Sequence, residues 1–531
     1  MQQRVIADTT SGKVGGVRHR GVASFLGVPY GAPTGGPARF RPPEPAKPWT
    51  GVRDATVFGR AAPQNDIRLA ATGSWVEAID YFYPRTGSAL EGVPMGEDCL
   101  VLNVWTPEAA PPGRRPVMVW LHGGGYQHGA GSESMFLGDR LARLGDVVVV
   151  TVNHRLGIFG YLALDALLGA EFEHAGIAGL LDLVLALEWV RDNIDGFGGD
   201  PGNVTVFGQS GGGDKVRTLM SMPSASGLFH KAIIQSSPGP LATSADAARD
   251  LAEQAVRLSG LGRSRARELT TWDTGSLLEL QRALTGDVMG GFTLDQDLLD
   301  AAQASFAPHL DPSPAPDGAG VPVLVGHTSH DASLILCNAP EYATFSDSQL
   351  RAWTEGRFDI GADALATAYQ DRVGPEPARL RLARIVTDTT FAPTAINLAS
   401  HLSTSRTVLQ PPPAAIQPTS SARPPVYCYE FAYRTPILGG LLGATHSLDL
   451  PFVFHNAELS PLAGDRGDRR DVSTRMASAW TSFARNGEPG HADIPAWEPY
   501  TPETRATMHI DSTWSLETGQ DPRDLPSRTR A

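Results

Sequence analysis

Short apolar runs that end in glycine-rich sequence dominate the middle of the chain. Residues 116–121 are apolar throughout, and residues 147–152 are apolar apart from Thr151 and almost entirely β-branched. Such runs are typical of strands buried on both faces of a parallel sheet. Between residues 179 and 193 apolar positions recur at steps of three and four, which predicts a helix. Further strands are predicted at 203–207, 232–235, 321–325 and 426–433, and a helix at 211–222. This alternation predicts an α/β fold with a doubly wound, mostly parallel sheet.

The segments around this alternation have other patterns. The first 40 residues alternate β-branched stretches with glycines, which predicts hairpins. Residues 60–97 have no clear period and several aromatic residues, so we expect a lid or binding loop there. The proline-rich stretches 307–322 and 410–425 are predicted to be surface loops. We find no internal repeat and no boundary between two folds, so residues 1–531 are predicted to form a single domain.

Composition narrows the class of protein. The chain has 531 residues, of which 41% are hydrophobic, and this is enough for a sizeable core and excludes global disorder. Its formal net charge of −13 argues against a nucleic-acid partner. The apolar runs are too short to span a bilayer and we see no signal peptide, so we expect a soluble, cytoplasmic protein. The three cysteines have no metal-ligand spacing and are expected to be buried as small hydrophobic residues.

The sharpest local signal is the pentapeptide Gly-Gln-Ser-Gly-Gly at residues 208–212. It matches the nucleophile elbow G-x-S-x-G, in which a strand turns abruptly into a helix and crowds the backbone around the serine. A predicted strand stands directly before it and a predicted helix directly after. The pattern therefore predicts that Ser210 is exposed at a helix N-terminus, where backbone N–H groups favour negative charge. The alternative is a glycine-rich turn with a passive serine.

A second glycine-rich turn follows the predicted strand at 116–121. Residues 122–126 read His-Gly-Gly-Gly-Tyr, which matches the HGGG-type loop that supplies oxyanion-hole donors. Glycines let backbone N–H groups point into a site without side chains in the way. We expect Gly124, Gly125 and Gly211 to bind the oxygen of a tetrahedral intermediate. The alternative is a flexible or phosphate-binding turn.

A reactive serine needs a base and an orienting acid. Of the 14 histidines, His446 is the best candidate because it lies in a loop after a predicted strand, although position alone does not choose it over the histidines at 327, 330 and 455. Asp331 follows another predicted strand within a few residues. The chain order Ser210, Asp331, His446 is the order found in α/β-hydrolases.

Longer sequence segments resemble those of a known protein family. Four segments carry the resemblance, at 25–30, 97–104, 153–160 and 186–210. Through them the chain resembles, nearly end to end, the type B carboxylesterases of the cholinesterase/carboxylesterase family, with their bacterial para-nitrobenzyl-esterase-like members. The resemblance implies an α/β-hydrolase fold with lid insertions and ester hydrolysis without a metal or organic cofactor. It places the base on His446 and the acid on Asp331, five residues after Gly326. Ser236 resembles a family serine near the triad, and we expect it to orient the acid.

The chain departs from the family pattern at several positions. Gln209 stands where the family usually has Glu, which removes a carboxylate near the pocket and weakens the case for a cationic substrate. Gly211 replaces the common Ala, and Asp331 replaces the more frequent Glu. Cys99 matches one half of a disulfide of secreted relatives, but its expected partner position is Asn65. The resemblance therefore implies a free thiol at Cys99, which fits a cytoplasmic protein.

Together these observations predict a serine carboxylesterase that acts on a small-molecule ester through an acyl-enzyme. We expect Gln209, Tyr126 and Trp75 to contact the substrate. An amidase, thioesterase, lactonase or acyltransferase would use the same triad and stays open, as does a non-catalytic binding protein of the same fold. The sequence does not choose between a monomer and a homodimer.

Overall fold

A computed structural model describes residues 3–67, 72–83, 94–107, 114–239, 243–285, 294, 306–308, 320–404 and 423–519. The strands are β1 Gln3–Thr9, β2 Gly12–His19, β3 Val22–Pro29, β4 Val52–Asp54, β5 Val101–Pro107, β6 Arg115–Leu121, β7 Val148–Val152, β8 Gly199–Gln209, β9 Lys231–Gln235, β10 Val323–Thr328, β11 Val426–Phe431, β12 Thr507–Ile510 and β13 Trp514–Glu517. The helices are α1 Trp75–Phe82, α2 Asp139–Gly145, α3 Gly157–Tyr161, α4 Asp165–Leu168, α5 Ala178–Asn193, α6 Gly211–Ser221, α7 Ala245–Leu258, α8 Thr274–Thr285, α9 Ser333–Leu336, α10 Asp347–Thr354, α11 Ala362–Val373, α12 Ala378–Thr389, α13 Phe391–Thr404, α14 Ile437–Gly440, α15 Leu450–Val453 and α16 Arg469–Asn486.

These strands form a 13-stranded sheet in the order β1-β2-β3-β5-β7-β6-β8-β9-β10-β11-β12-β13, with β4 beside β2. The run from β7 to β12 is parallel throughout. The flanking pairs at both ends are antiparallel. The predicted mostly parallel central sheet and the predicted hairpins near the N-terminus are both confirmed. Because the carboxyl ends of parallel strands meet at one edge, the loops after β6, β8, β10 and β11 converge there.

Helices cover both faces of this sheet, so its central strands are buried on both sides. In β6, Val117, Val119 and Leu121 pack into the hydrophobic cluster that includes α5 and α6. Met118 and Trp120, on the opposite face, pack into the cluster that includes α16. Burial on both faces is why the sequence of this strand is apolar throughout rather than alternating.

The irregular segments are described only in part. Within the predicted lid at 60–97, residues 68–71 and 84–93 lie outside the described residues, and the segment between them forms α1. The proline-rich stretches lie mostly outside the described residues, which lack 309–319 and 405–422. The lid, the two surface loops and the single domain therefore stay predictions.

Two global features bear on the kind of protein. Cys99, Cys337 and Cys428 are buried, as the sequence predicts, and all three are free thiols, as the resemblance implies for Cys99. In the part of the chain that the structure describes, no helix has the length and apolarity needed to cross a membrane.

Candidate active site

The serine elbow lies between β8 and α6. Ser210 has φ 57° and ψ −130°, and its backbone N–H donates to the carbonyl of Gln235 at 2.9 Å. The turn brings the backbone into contact with itself, because a Cβ on Gly208 would lie 2.5 Å from the carbonyl carbon and oxygen of Gly212. A Cβ on Gly212 would lie 2.0 Å from the carbonyl oxygen of Leu121. Only glycine fits at these two positions, and the crowded turn leaves Ser210 at the start of α6.

The glycine loop after β6 packs against this elbow. Gly124 and Gly125 both have positive φ, at 90° and 56°. A Cβ on Gly211 would lie 2.9 Å from the backbone nitrogen of Gly125, and a Cβ on Gly123 would lie 3.3 Å from the Cβ of Ser210. The structure thus brings the three predicted oxyanion-hole residues together beside the serine.

The predicted base and acid are joined directly. Nδ1 of His446 lies 2.6 Å from Oδ1 of Asp331, and Oδ2 of the same carboxylate accepts from the backbone N–H of Thr328 at 2.9 Å. Asp331 is fully buried and His446 nearly so. A parallel bridge between His330 and Thr445, the residues directly before the acid and the base, holds the two loops together. Because a carboxylate only accepts, this contact selects the tautomer of the neutral imidazole that has its proton on Nδ1, and in that tautomer Nε2 is an acceptor.

Gln209 connects the elbow to the base. Its side chain is buried, and its Nε2 lies 3.0 Å from Nε2 of His446. Its Oε1 accepts from the hydroxyl of Ser447 at 3.2 Å. The amide therefore binds the loop that carries His446, the predicted base, and Nε2 of the imidazole contacts a side chain of the elbow.

The two predicted aromatic substrate contacts lie in the packed interior. The ring of Tyr126 is fully buried, with its centroid 5.0 Å from that of Tyr161 and 5.1 Å from Nζ of Lys215. Trp75 is buried at the start of α1, and its backbone N–H donates to the carbonyl of Cys337 at 3.1 Å. Contact of either residue, or of Gln209, with the substrate stays a prediction.

Ser236 lies at the end of β9 with φ 45°. Its backbone N–H donates to the carbonyl of Gly326 at 2.8 Å, which connects β9 to the strand that leads to Asp331. Its hydroxyl oxygen is buried without a hydrogen-bond partner among the described residues. The expected role in orienting the acid stays a prediction.

A second buried carboxylate, Asp449, lies near the base and was missed by the sequence analysis. Its Oδ2 accepts from Nε2 of Gln235 at 2.7 Å and from the hydroxyl of Tyr429 at 3.1 Å. Burial, followed by the nearby charge of Asp331, raises its pKa to about 6. Asp449 lies only three residues after His446 in the sequence, which could have indicated that it is close to the imidazole. The sequence gives no sign that it is buried, because acidic residues in loops are usually exposed to solvent.

An aromatic ring also lies against His446, the predicted base. Phe391 begins α13, and its ring centroid lies 5.3 Å from that of His446. No sequence signal marks this residue, because it lies in a helix that has no motif and is distant along the chain.

Buried polar side chains contact the glycine loop on the side that faces the protein interior. Nζ of Lys215 donates to the carbonyl of His122 at 2.9 Å, and burial lowers the pKa of this amine to about 7. His122 stacks on His154 with centroids 4.7 Å apart, and burial, with the adjacent Lys215, lowers the pKa of His122 to about 3. His122 is therefore neutral and holds the loop rather than exchanging protons at neutral pH. Within the described ranges no group of three or more His, Cys, Asp or Glu side chains is placed to hold a metal ion.

Comparisons with known proteins give one consistent result. A family model described as "Carboxylesterase family" matches residues 3–525. The chain is 34% identical to para-nitrobenzyl esterase of Bacillus subtilis, with 96% of each chain covered. It is 31% identical to phenmedipham hydrolase of Pseudarthrobacter oxydans, again with 96% of each covered. It is 34% identical to fumonisin B1 esterase of Sphingopyxis macrogoltabida, with 93% of this chain and 84% of that protein covered.

Solved structures agree with the sequence relatives. A structure of PNB esterase superposes with a TM-score of 0.75 at 31% identity and covers 98% of this chain and 99% of its own. An esterase from Clostridium hathewayi, described as able to hydrolyse aliphatic aromatic polyesters, superposes with a TM-score of 0.75 at 29% identity, with 98% and 97% covered.

Proposed function

Because this chain belongs to the carboxylesterase family, has the α/β-hydrolase fold and is a serine hydrolase of carboxylic esters, we propose that Ser210, His446 and Asp331 carry out its reaction. The observation that supports this assignment most is the 2.6 Å contact between Oδ1 of Asp331 and Nδ1 of His446. It fixes the imidazole tautomer whose Nε2 accepts a proton, and that nitrogen lies beside the elbow that carries the serine.

In the proposed mechanism Ser210 Oγ attacks the ester carbonyl while Nε2 of His446 takes its proton. Asp331 stabilises the imidazolium that forms, and the imidazolium then protonates the leaving alcohol. The backbone N–H groups of Gly124, Gly125 and Gly211 bind the oxyanion of the tetrahedral intermediate. Breakdown leaves an acyl group on Ser210, and water activated by the same imidazole hydrolyses it.

We propose neutral small-molecule esters, aryl and benzyl esters among them, as the substrate class. Gln209 places an uncharged amide where a carboxylate would attract a cationic alcohol, and the Phe391 ring adds an apolar surface beside the base. The name of the Bacillus subtilis relative points to para-nitrobenzyl esters, and that likeness supports the same class.

We also propose a cytoplasmic location, which the three free thiols support because disulfides are rare in that compartment. Fractionation of cells that express the full chain tests this, and recovery of the enzyme outside the cytoplasm would contradict it.

Replacing Ser210 by alanine tests the nucleophile. We expect turnover of p-nitrophenyl esters to fall by about 10⁶, because nothing else on the elbow can form the acyl-enzyme. A fluorophosphonate should label the parent protein and leave the S210A variant unlabelled. A matched control is Ser237→Ala, which removes a buried serine that donates to Asp214 and lies near the elbow. If S237A keeps the label and S210A also keeps it, Ser210 is not the nucleophile.

A further inference from the structure

We infer that Lys215 is a positioning residue of the oxyanion hole, because its amine holds the glycine loop, residues 122–126, against the helix that begins at the elbow. The inference rests on the proposed function, in which the backbone N–H groups of Gly124, Gly125 and Gly211 bind the oxyanion. In this role Lys215 acts through the loop and not on the reacting atoms.

The amine of Lys215 contacts both ends of the loop. Lys215 lies in α6, five residues after Ser210, and its side chain is fully buried. Nζ donates to the carbonyl oxygen of His122 at 2.9 Å and lies 5.1 Å from the ring centroid of Tyr126. These are the first and last residues of the loop. One side chain therefore connects the loop to the helix whose first residue is Gly211, the third proposed donor.

The loop needs such an anchor because it is built from glycine. Gly124 and Gly125 have φ angles of 90° and 56°, and glycine adopts many other conformations about as readily. The carbonyl oxygen of Gly124 accepts from the backbone N–H of Gln127 at 3.0 Å, so the second half of the loop closes on itself. The carbonyl of His122 and the N–H of Gly123 belong to one planar peptide, so the lysine fixes the orientation in which the chain leaves β6.

Stability alone is a weak reason to bury this lysine. Removing an amine from water is unfavourable, and burial lowers the pKa of this one to about 7. Apolar residues that replace buried charges often leave a protein equally stable or more stable. The amine supplies a donor, which an apolar side chain cannot, and both its charged and its neutral form have N–H groups for the carbonyl of His122. A donor that fixes one peptide of a glycine loop also controls the direction of the N–H groups that follow.

Replacing Lys215 by methionine removes the donor and keeps an unbranched side chain in the core. The neighbouring buried acid Asp214, whose pKa burial raises to about 7, can become neutral when the lysine is absent. Losing an oxyanion-hole donor altogether lowers the rate by about 10²–10³. A displaced loop keeps its donors in poorer geometry, and misplacement by about 1 Å can lower a rate by about 10². We therefore expect kcat/KM of Lys215→Met for p-nitrophenyl esters to fall by about 10–10².

The test compares, in the full chain, an inhibitor that forms an oxyanion with one that does not. Ser210 Oγ adds to a trifluoromethyl ketone, so that a new O–C bond forms, the carbonyl π electrons move onto the ketone oxygen, and His446 takes the serine proton. The negatively charged oxygen then occupies the proposed hole. p-Nitrobenzyl alcohol, the product of a p-nitrobenzyl ester, binds without forming an oxyanion. In Lys215→Met we expect the Ki of the ketone to rise by about 10–10² and the Ki of the alcohol to stay within about twofold.

The matched control is Lys231→Met. Lys231 is also buried, but it begins β9 at the amino ends of the parallel strands, opposite the site, and donates to Asn203. The change removes the same kind of amine away from the loop, so we expect both inhibition constants to match those of the parent. A Ki of the ketone that rises as much in Lys231→Met as in Lys215→Met would overturn the inference.

A second variant, Lys215→Gln, keeps the inference testable if methionine at this position prevents folding. Its amide N–H group lies one bond short of the lysine amine, so the hydrogen bond to His122 becomes longer and weaker. We expect the same selective rise in the Ki of the ketone, by a smaller factor than for methionine. A parent-like Ki of the ketone in the folded variants contradicts the positioning role. So does an equal loss of affinity for ketone and alcohol, which is the result expected of a purely structural residue.

Binding of the ketone to Ser210→Ala separates this inference from the proposed function. Without the serine Oγ the ketone cannot add, so its tight binding should be lost. If Ser210→Ala binds the ketone as tightly as the parent does, the proposed nucleophile is refuted and the inference falls with it. If Ser210→Ala loses the ketone while both Lys215 variants bind it like the parent, the positioning role alone is refuted.

Discussion

Replacing Asp331 by asparagine tests how the base is held. The backbone N–H of Thr328 can only donate, so the carbonyl oxygen of the new amide must face it, as Oδ2 of the acid does at 2.9 Å. The NH₂ end of the amide then faces Nδ1 of His446. That nitrogen must become an acceptor, so the ring proton moves to Nε2. An imidazole protonated at Nε2 cannot take the proton of Ser210.

The expected magnitude follows from this change of tautomer. The wrong tautomer in a serine–histidine–aspartate triad lowers kcat by about 10⁴ with the geometry intact, which corresponds to about 5.4 kcal/mol of transition-state stabilisation. The side-chain amide of Gln209 can rotate by half a turn so that its oxygen accepts from the new Nε2–H of His446. This hydrogen bond would stabilise the inactive tautomer. The fold should persist, since the substitution is nearly isosteric and keeps the Thr328 hydrogen bond.

The assay is the pre-steady-state release of p-nitrophenol, which reports acylation, together with a thermal melt that reports folding. The control is Asp449→Asn, which changes the other buried carboxylate of the site, whose contacts are Gln235 and Tyr429 rather than the imidazole. We expect this control to keep kcat within about tenfold of the parent. If the kcat of D331N also stays within about tenfold of the parent, Asp331 is not the orienting acid. The same conclusion follows if the kcat of D449N falls by about 10⁴.

Two further predictions concern the glycine loop and the second carboxylate. Gly124→Ala places a Cβ 2.2 Å from the carbonyl oxygen of His128 at a φ of +90°, so the backbone N–H of residue 124 must move. We expect kcat/KM for p-nitrophenyl esters to fall by about 10²–10³. A variant with the rate of the parent enzyme would show that Gly124 is not part of the oxyanion hole. The folded-state pKa of Asp449, about 6, lies above its unfolded value, so the free energy of unfolding should fall as the pH rises from about 4 to 6. D449N should remove this loss of about 3 kcal/mol, and equal pH slopes in urea unfolding of variant and parent would contradict the assignment.

The central sheet was predictable because its strands are buried on both faces. The run at 116–121 becomes β6 Arg115–Leu121, and the helical pattern at 179–193 becomes α5 Ala178–Asn193. The prediction was less accurate at β10, where the sequence gives 321–325 and the strand is Val323–Thr328. Its last residues, His327 and Thr328, are polar but buried. At the carboxyl edge of a parallel sheet polar residues continue the strand toward the site, so apolarity alone ends the strand too early.

Some residues of the candidate site could be predicted from adjacent sequence, and others could not. Ser210 and the glycine loop are visible in the sequence because each depends on a turn made by adjacent residues. The pairing of Asp331 with His446 needed chain order and family resemblance, since nothing local tells one loop histidine from another. The contact between Gln209 and His446 joins residues 237 positions apart. Such contacts depend on how the loops at the sheet edge meet, and no local pattern encodes them.

Asp331, Asp449 and Gln209 determine how much charge lies near His446, the proposed base. Asp331 contacts two hydrogen-bond donors, the imidazole of His446 and the backbone N–H of Thr328. Oδ2 of Asp449 accepts from the neutral side chains of Gln235 and Tyr429, and its Oδ1 has no hydrogen-bond partner among the described residues. Burial raises the pKa of this carboxyl group. Gln209 adds no charge. A base must lose its proton in every turnover, and proton transfer is most efficient when its pKa lies near the working pH. Within the described residues Asp331 is therefore the carboxylate that contacts the imidazole, and it is placed to stabilise the imidazolium that the proposed mechanism forms in each turnover.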